Sequence, residues 1–249
     1  MTLDVFFKNH PRIAVALSGG VDSSYLAWAA KNAGCDVTAY FVKSAFQPRF
    51  EAQDAAMLCD EYNIPYRVID VDILSDNTVT ANPADRCYHC KRAIFDTIIQ
   101  TAHSDGYPVV VEGTNASDDA ADRPGMRALT ELGVLSPLRE CGLTKNDIRR
   151  LAKSAGLFTW DKPSYACLAT RIPTGERITA EKLTRTEQAE GLMFGLGFTD
   201  FRVRTAGNTA KIQVNANQME KIISNRSQIL EGLGQLYDDV TLDLEARNE

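Results

Sequence analysis

The chain has 249 residues, 44% hydrophobic and 24% charged, with a formal net charge of −6 at pH 7, enough for one large domain or two smaller ones. The acidic balance argues against nucleic acid as the main partner, and no stretch nears the roughly twenty apolar residues of a membrane span. Residues 1–10 lack an apolar secretion signal and six cysteines are too few for a disulfide scaffold, so the expected compartment is the reducing cytoplasm.

In chain order, residues 13–17 read as a buried strand that runs into Ser18-Gly19-Gly20-Val21-Asp22-Ser23-Ser24 and then a helical pattern ended by Gly34. Strand, Gly-rich turn and helix in that order form an anion cradle. Glycine lets the backbone approach a ligand, and the first helical N–H groups are unpaired at the positive end of the dipole. A Walker A loop would need a Gly-Lys pair and a dinucleotide loop a third glycine; both are missing. The plainer alternative is a helix start capped by Ser18 or Asp22.

Residues 37–42 and 66–71 read as further strands, with a helix over 50–62 between them. A polar stretch, 75–86, precedes Cys87-Tyr88-His89-Cys90, placed in a loop, and a helix over 91–102. Residues 108–111 read as a fourth strand, leading into Glu112-Gly113-Thr114-Asn115-Ala116-Ser117-Asp118. A short helix over 124–132, a fifth strand over 134–138 and a helix capped by Thr144 follow. Alternating strands and helices imply a doubly wound parallel sheet, with ligands outside the carboxyl ends of its strands. Residues 160–175 read as a hinge. From 179 a helix, an antiparallel pair turning at Gly207-Asn208, a helix over 218–236 and a strand over 239–244 imply a smaller α+β domain.

The loop from Ser18 to Ser24 resembles the PP-loop of ATP pyrophosphatases. Arg86-Cys87-Tyr88-His89-Cys90-Lys91, Glu112 through Asp118, and Trp160-Asp161-Lys162-Pro163-Ser164 through Cys167 to Pro173 are similar to the LarE-type sulfur transferases of that superfamily, which help build the nickel-pincer cofactor of lactate racemase. The resemblance implies a Rossmann-like PP-loop domain over 1–165, an active-site linker over 166–178 and a substrate or oligomerisation domain over 179–249. It implies that ATP with Mg²⁺ adenylates a carboxylate of a pyridinium-biscarboxylic acid mononucleotide, and that sulfur then displaces AMP.

On that reading Ser18, Gly19, Gly20, Asp22, Ser23, Ser24, Gly113 and Thr114 cradle ATP, with Arg123 and Lys145 on phosphate oxygens. Asp22 and Asp118 are the candidate Mg²⁺ ligands. Arg202 and Arg204, two apart on one strand, suit the substrate monophosphate. Gln213 stands where some relatives carry a metal-binding carboxylate, which puts a second metal site in doubt. Cys87, Cys90 and Cys167 match a three-cysteine pattern that holds a [4Fe-4S] cluster, three thiolates leaving one iron open to sulfide. The alternatives are sacrifice of the Cys167 sulfur and a zinc site that recruits His89. Cys35, Cys59 and Cys141 read as structural. The resemblance also implies a homo-oligomer that contacts other nickel-pincer assembly proteins. Competing readings are an RNA thiolase or amidating synthetase on the same loop, and a nucleotide-binding module without turnover.

Overall fold

The computed structural model describes residues 1–118 and 124–247. Helix α1 (Leu3–Asn9), capped by Thr2, precedes β1 (Arg12–Ala16), α2 (Val21–Asn32), β2 (Asp36–Lys43), α3 (Arg49–Glu61) and β3 (Tyr66–Asp70). After the short α4 (Asn77–Thr80) come α5 (Arg86–Ser104), β4 (Val110–Val111), α6 (Pro124–Glu131), α7 (Pro137–Glu140) and α8 (Lys145–Ser154). The chain ends with α9 (Ala180–Gly195), β5 (Arg202–Ala206), β6 (Thr209–Gln213), α10 (Met219–Ser224), α11 (Arg226–Leu233) and β7 (Asp239–Leu242). Two compact units result, residues 1–73 with 85–162 and residues 74–84 with 163–249. Nothing in the composition of the polar stretch after β3 marks part of it as belonging with the C-terminal residues.

The first unit is the α/β unit that the alternating elements imply. Its four strands run parallel in the order β3-β2-β1-β4, with Ile13 opposite Val37 and Val15 opposite Val111. Strand alternation divides the core. Ile13, Val15, Val37 and Phe41 pack on one face with Phe6, Leu26 and Leu58. Ala14, Tyr40, Val42 and Val110 pack on the other with Phe95, Ile98 and Leu129. Both faces are covered, as parallel sheets require. The order reverses between β1 and β4, so the crevice for a ligand opens where the chain leaves those two strands.

Three local expectations change. Cys87 and Cys90 are not in a loop, because α5 begins at Arg86 without a side-chain cap to announce it. The fifth strand shrinks to one parallel bridge between Leu135 and Val111. Pro137 has no N–H for a ladder and instead opens the turn of α7. The C-terminal helix breaks at Asn225, whose side-chain amide donates to the Lys221 carbonyl (2.8 Å).

The second unit carries a three-stranded sheet in the order β5-β6-β7. The β5–β6 pair is the antiparallel hairpin read from sequence, while β7 joins β6 in parallel. Val203, Ala210 and Ile212 pack beneath it on Met193, Phe198 and Leu233.

Candidate active site

The PP-loop closes on its own hydroxyls. Ser18 N donates to Ser23 Oγ (3.1 Å), Ser18 Oγ lies 3.0 Å from Ser23 Oγ, and Ser23 Oγ donates to the Gly20 carbonyl (3.3 Å). Neither Ser18 nor Asp22 caps α2. Gly20 is the cap residue and supplies no side chain, so the first amides of the helix are left for an anion. Gly19 is left-handed (φ 77°), and a Cβ there would stand 2.7 Å from the Glu51 carbonyl oxygen. The Ser24 hydroxyl is buried without a protein partner.

The loop after β4 meets this turn. A Cβ on Gly113 would lie 2.8 Å from Ser23 N, so glycine is what allows the two strand ends to approach. Asn115 Nδ2 donates to Asp22 Oδ1 (3.4 Å), while its backbone N–H donates to Asp118 Oδ2 (3.0 Å). Asn115 thus links the two carboxylates expected to serve Mg²⁺. Lys145 Nζ reaches Asp22 Oδ2 at 2.5 Å and its backbone N–H donates to Ser117 Oγ (3.0 Å), which fixes the start of α8 beside the loop. Thr144 and Asp147 complete a capping box there. Arg123 lies outside the described residues.

Two groups at this crevice had no role assigned from sequence. Glu112 is buried and accepts from Thr114 N (3.0 Å), Thr114 Oγ1 (2.8 Å) and Ser136 Oγ (2.5 Å), which holds the β4 loop in shape. Lys162 donates to the Gly19 carbonyl (2.8 Å) and pairs with Asp54 of α3. It therefore ties the PP-loop to the helix beside it. A charge-assisted contact of this kind is worth about 1.5–3 kcal/mol, so Lys162→Met should raise KM for ATP about tenfold with folding retained. Pyrophosphate release against ATP concentration measures this, and an unchanged KM would exclude the role.

The cysteines separate by environment. Burial pushes the thiols of Cys35 and Cys141 up and that of Cys59 to about 12, so these three stay protonated, as structural cysteines would. Cys87 is exposed and Cys90 half-buried, three residues apart and so on one face of α5. Arg86 Nη2 stands 3.8 Å from Cys87 Sγ. His89 turns to Asp85 (3.3 Å).

In the second unit Cys167 is half-buried at the start of a short 3-10 turn, Leu168–Arg171. Arg202 Nη2 donates to the Ser164 carbonyl (2.7 Å) and Arg204 Nη1 to the Thr170 carbonyl (2.9 Å). Arg202 is buried while Arg204 is exposed, although both stand on β5. Burial, with Arg171 and Arg247 nearby, lowers Arg202 to about 10, which leaves it charged at neutral pH. Arg204 Nε also donates to Gln213 Oε1 (2.6 Å), and Gln213 Nε2 to Asp243 Oδ2 (2.7 Å), so Gln213 bridges an arginine and a carboxylate.

Residues 11–123 match the family model described as a tRNA methyl transferase HUP domain. Over 246 residues the chain is 36% identical to an uncharacterized protein of Synechocystis sp., spanning 96% of this chain and 91% of that one. Over 248 residues it is 31% identical to the pyridinium-3,5-bisthiocarboxylic acid mononucleotide synthase of Lactiplantibacillus plantarum, spanning 98% of this chain and 89% of that one. The chain belongs to this LarE family. It is an ATP-using PP-loop sulfurtransferase. A tRNA-specific 2-thiouridylase of Clostridium botulinum is 26% identical over 182 residues, 60% of this chain and 52% of that one. The LarE-type likeness therefore spans the C-terminal unit as well.

Proposed function

We propose that this enzyme adenylates a carboxylate of pyridinium-3,5-biscarboxylic acid mononucleotide and replaces AMP with sulfur, giving a thiocarboxylate. The observation that carries the reading is the likeness, along 98% of the chain, to a relative named for that bisthiocarboxylic acid product. The substrate carboxylate attacks the α-phosphorus and pyrophosphate leaves. A sulfur nucleophile then attacks the acyl carbon and AMP leaves. The amides at the start of α2, with Lys145, meet the phosphate charge as it develops. Asp22 and Asp118, linked by Asn115, would hold Mg²⁺, which supplies further charge neutralisation when bound. Arg204, exposed on the hairpin, receives the substrate phosphate with Arg202, in the C-terminal unit.

For the sulfur source, the donor set fits an iron–sulfur cluster in its chemistry. Cys87 and Cys90 offer two thiolates from one helical face and Cys167 is the third candidate. Among the described residues no three His, Cys, Asp or Glu side chains are grouped to bind one ion, and Cys167 belongs to the other unit. A bound [4Fe-4S] cluster would supply an open iron for an extra sulfide. The reading also implies a self-associating enzyme in the cytoplasm.

Anaerobically prepared protein, given ATP, Mg²⁺ and the mononucleotide, should release pyrophosphate and form a thiocarboxylate seen by mass spectrometry. Iron content and the visible spectrum should fall on Cys87→Ala. Pyrophosphate release that required transfer RNA would sink the substrate assignment. A dehydroalanine at position 167 after turnover would replace the cluster with sacrifice of the Cys167 sulfur.

A further inference from the structure

The segment that carries Cys167 is held by guanidinium groups rather than by strand pairing. Arg171 stands at its centre. It is 1% exposed, and so is its partner Glu190 from α9. Arg171 Nε donates to Glu190 Oε1 (2.8 Å) and Nη2 to Glu190 Oε2 (3.1 Å), a two-pronged pair. Nη1 points the other way, donating to the Ala166 carbonyl (2.9 Å) and to Thr170 Oγ1 (2.8 Å). Thr170 closes the arrangement by donating from N (3.0 Å) and Oγ1 (2.8 Å) to the Cys167 carbonyl.

Glu190 is anchored in turn. It accepts from Val203 N of β5 (2.9 Å) and from the Tyr165 hydroxyl, and the Arg171 guanidinium lies 4.5 Å from the Tyr165 ring centroid. Arg171 is thus fixed by α9 and by the segment flanking Cys167, and its partner Glu190 is tied to β5.

We propose that Arg171, held by Glu190, is the positioning residue for Cys167, gripping the carbonyl before it directly and the Cys167 carbonyl through the Thr170 hydroxyl, so that the thiol is presented at one place for sulfur transfer. The proposal rests on the reading of Cys167 as a sulfur-handling residue. A cysteine sulfur hangs from the backbone by one rotatable bond, so fixing the backbone at 167 confines it to the few staggered positions of that bond. A buried ion pair is a poor device for stability alone, because apolar residues of similar volume usually serve as well. Arg171 does what an apolar residue cannot, since its planar fork serves the carboxylate and the backbone together. Lysine has the charge without the fork.

The test uses the full-length protein in two variants. Arg171→Lys keeps the charge facing Glu190. Thr170→Val keeps the shape but removes the hydroxyl between Arg171 and the Cys167 carbonyl, and it decides the matter should the lysine variant fail to fold. In metal-free protein, alkylation by iodoacetamide is followed at Cys167 by peptide mass spectrometry, with Cys87 of the other unit as reference. The rate at Cys167 should change about fivefold or more while Cys87 is unmoved, and single-turnover thiocarboxylate formation should fall about tenfold or more with KM for ATP in pyrophosphate release retained. A folded variant with a parental alkylation rate at Cys167 or a parental transfer rate overturns the proposal, as does equal loss of adenylation and transfer. A parent enzyme that makes no thiocarboxylate sinks the functional reading instead, and the alkylation comparison still decides the role of Arg171.

Discussion

Gly113→Ala should lower ATP-dependent pyrophosphate release about a hundredfold, the loss expected when a reacting group is displaced by about 1 Å. The new methyl would stand 2.8 Å from Ser23 N, 3.1 Å from Ser23 Cα and 3.2 Å from the Asp22 carbonyl carbon. All three are backbone atoms in the first turn of α2, so no side chain can swing aside. Either α2 retreats from β4 or the β4 loop is pushed outward, and both separate the PP-loop from Asn115 and Lys145. Overpacking of this kind costs about 1–3 kcal/mol, within reach of a folded protein, so the variant should melt earlier yet cooperatively. Gly20→Ala is the contrast in stability, since its methyl would meet only Ser18 Oγ, at 3.5 Å. Parental turnover in Gly113→Ala would mean that the two strand ends do not share a site.

The clash at Gly113 also shows what a sequence reveals and what it hides. The two strand-end loops were legible, because glycines after apolar runs mark them and parallel topology places both on one edge. Their mutual contact was not, since it depends on a distance between segments ninety residues apart in the chain. The start of α5 was hidden for a different reason. Asp85 makes no side-chain cap, and the Asn82-Pro83 turn just upstream reads as a continuing loop. Lys162 and Arg171 stand inside the motifs that carry the family resemblance, yet their roles were hidden, since a charged residue in a loop looks the same whether it is solvated or aimed at a backbone carbonyl.

Glu190 did leave a trace. Leu183, Thr186, Glu190 and Met193 fall at helical spacing, so a carboxylate sits on the buried stripe of α9. A charge on an apolar stripe asks for a buried partner, and the only clue to that partner's identity was the unassigned arginine nineteen residues earlier.

That buried carboxylate gives the largest expected effect on stability. Glu190→Ala should destabilise the protein by about 3–5 kcal/mol, the range found when one member of a buried ion pair is removed. The alanine leaves the Arg171 guanidinium charged at 1% exposure and strips acceptors from Val203 N and the Tyr165 hydroxyl at the same time. Burial and the Glu190 carboxylate both hold the Tyr165 phenol above its ordinary range, so that hydroxyl stays protonated and goes on needing an acceptor. Urea unfolding followed by circular dichroism should show the loss as a lower midpoint. Arg171→Met combined with Glu190→Leu provides the counter-measurement. On either reading the double variant should unfold later than Glu190→Ala, because no charge is left buried; if the pair serves stability alone, it should transfer sulfur in proportion to its folded fraction. If the pair serves Cys167, the double variant should recover much of its midpoint and should still fail in sulfur transfer.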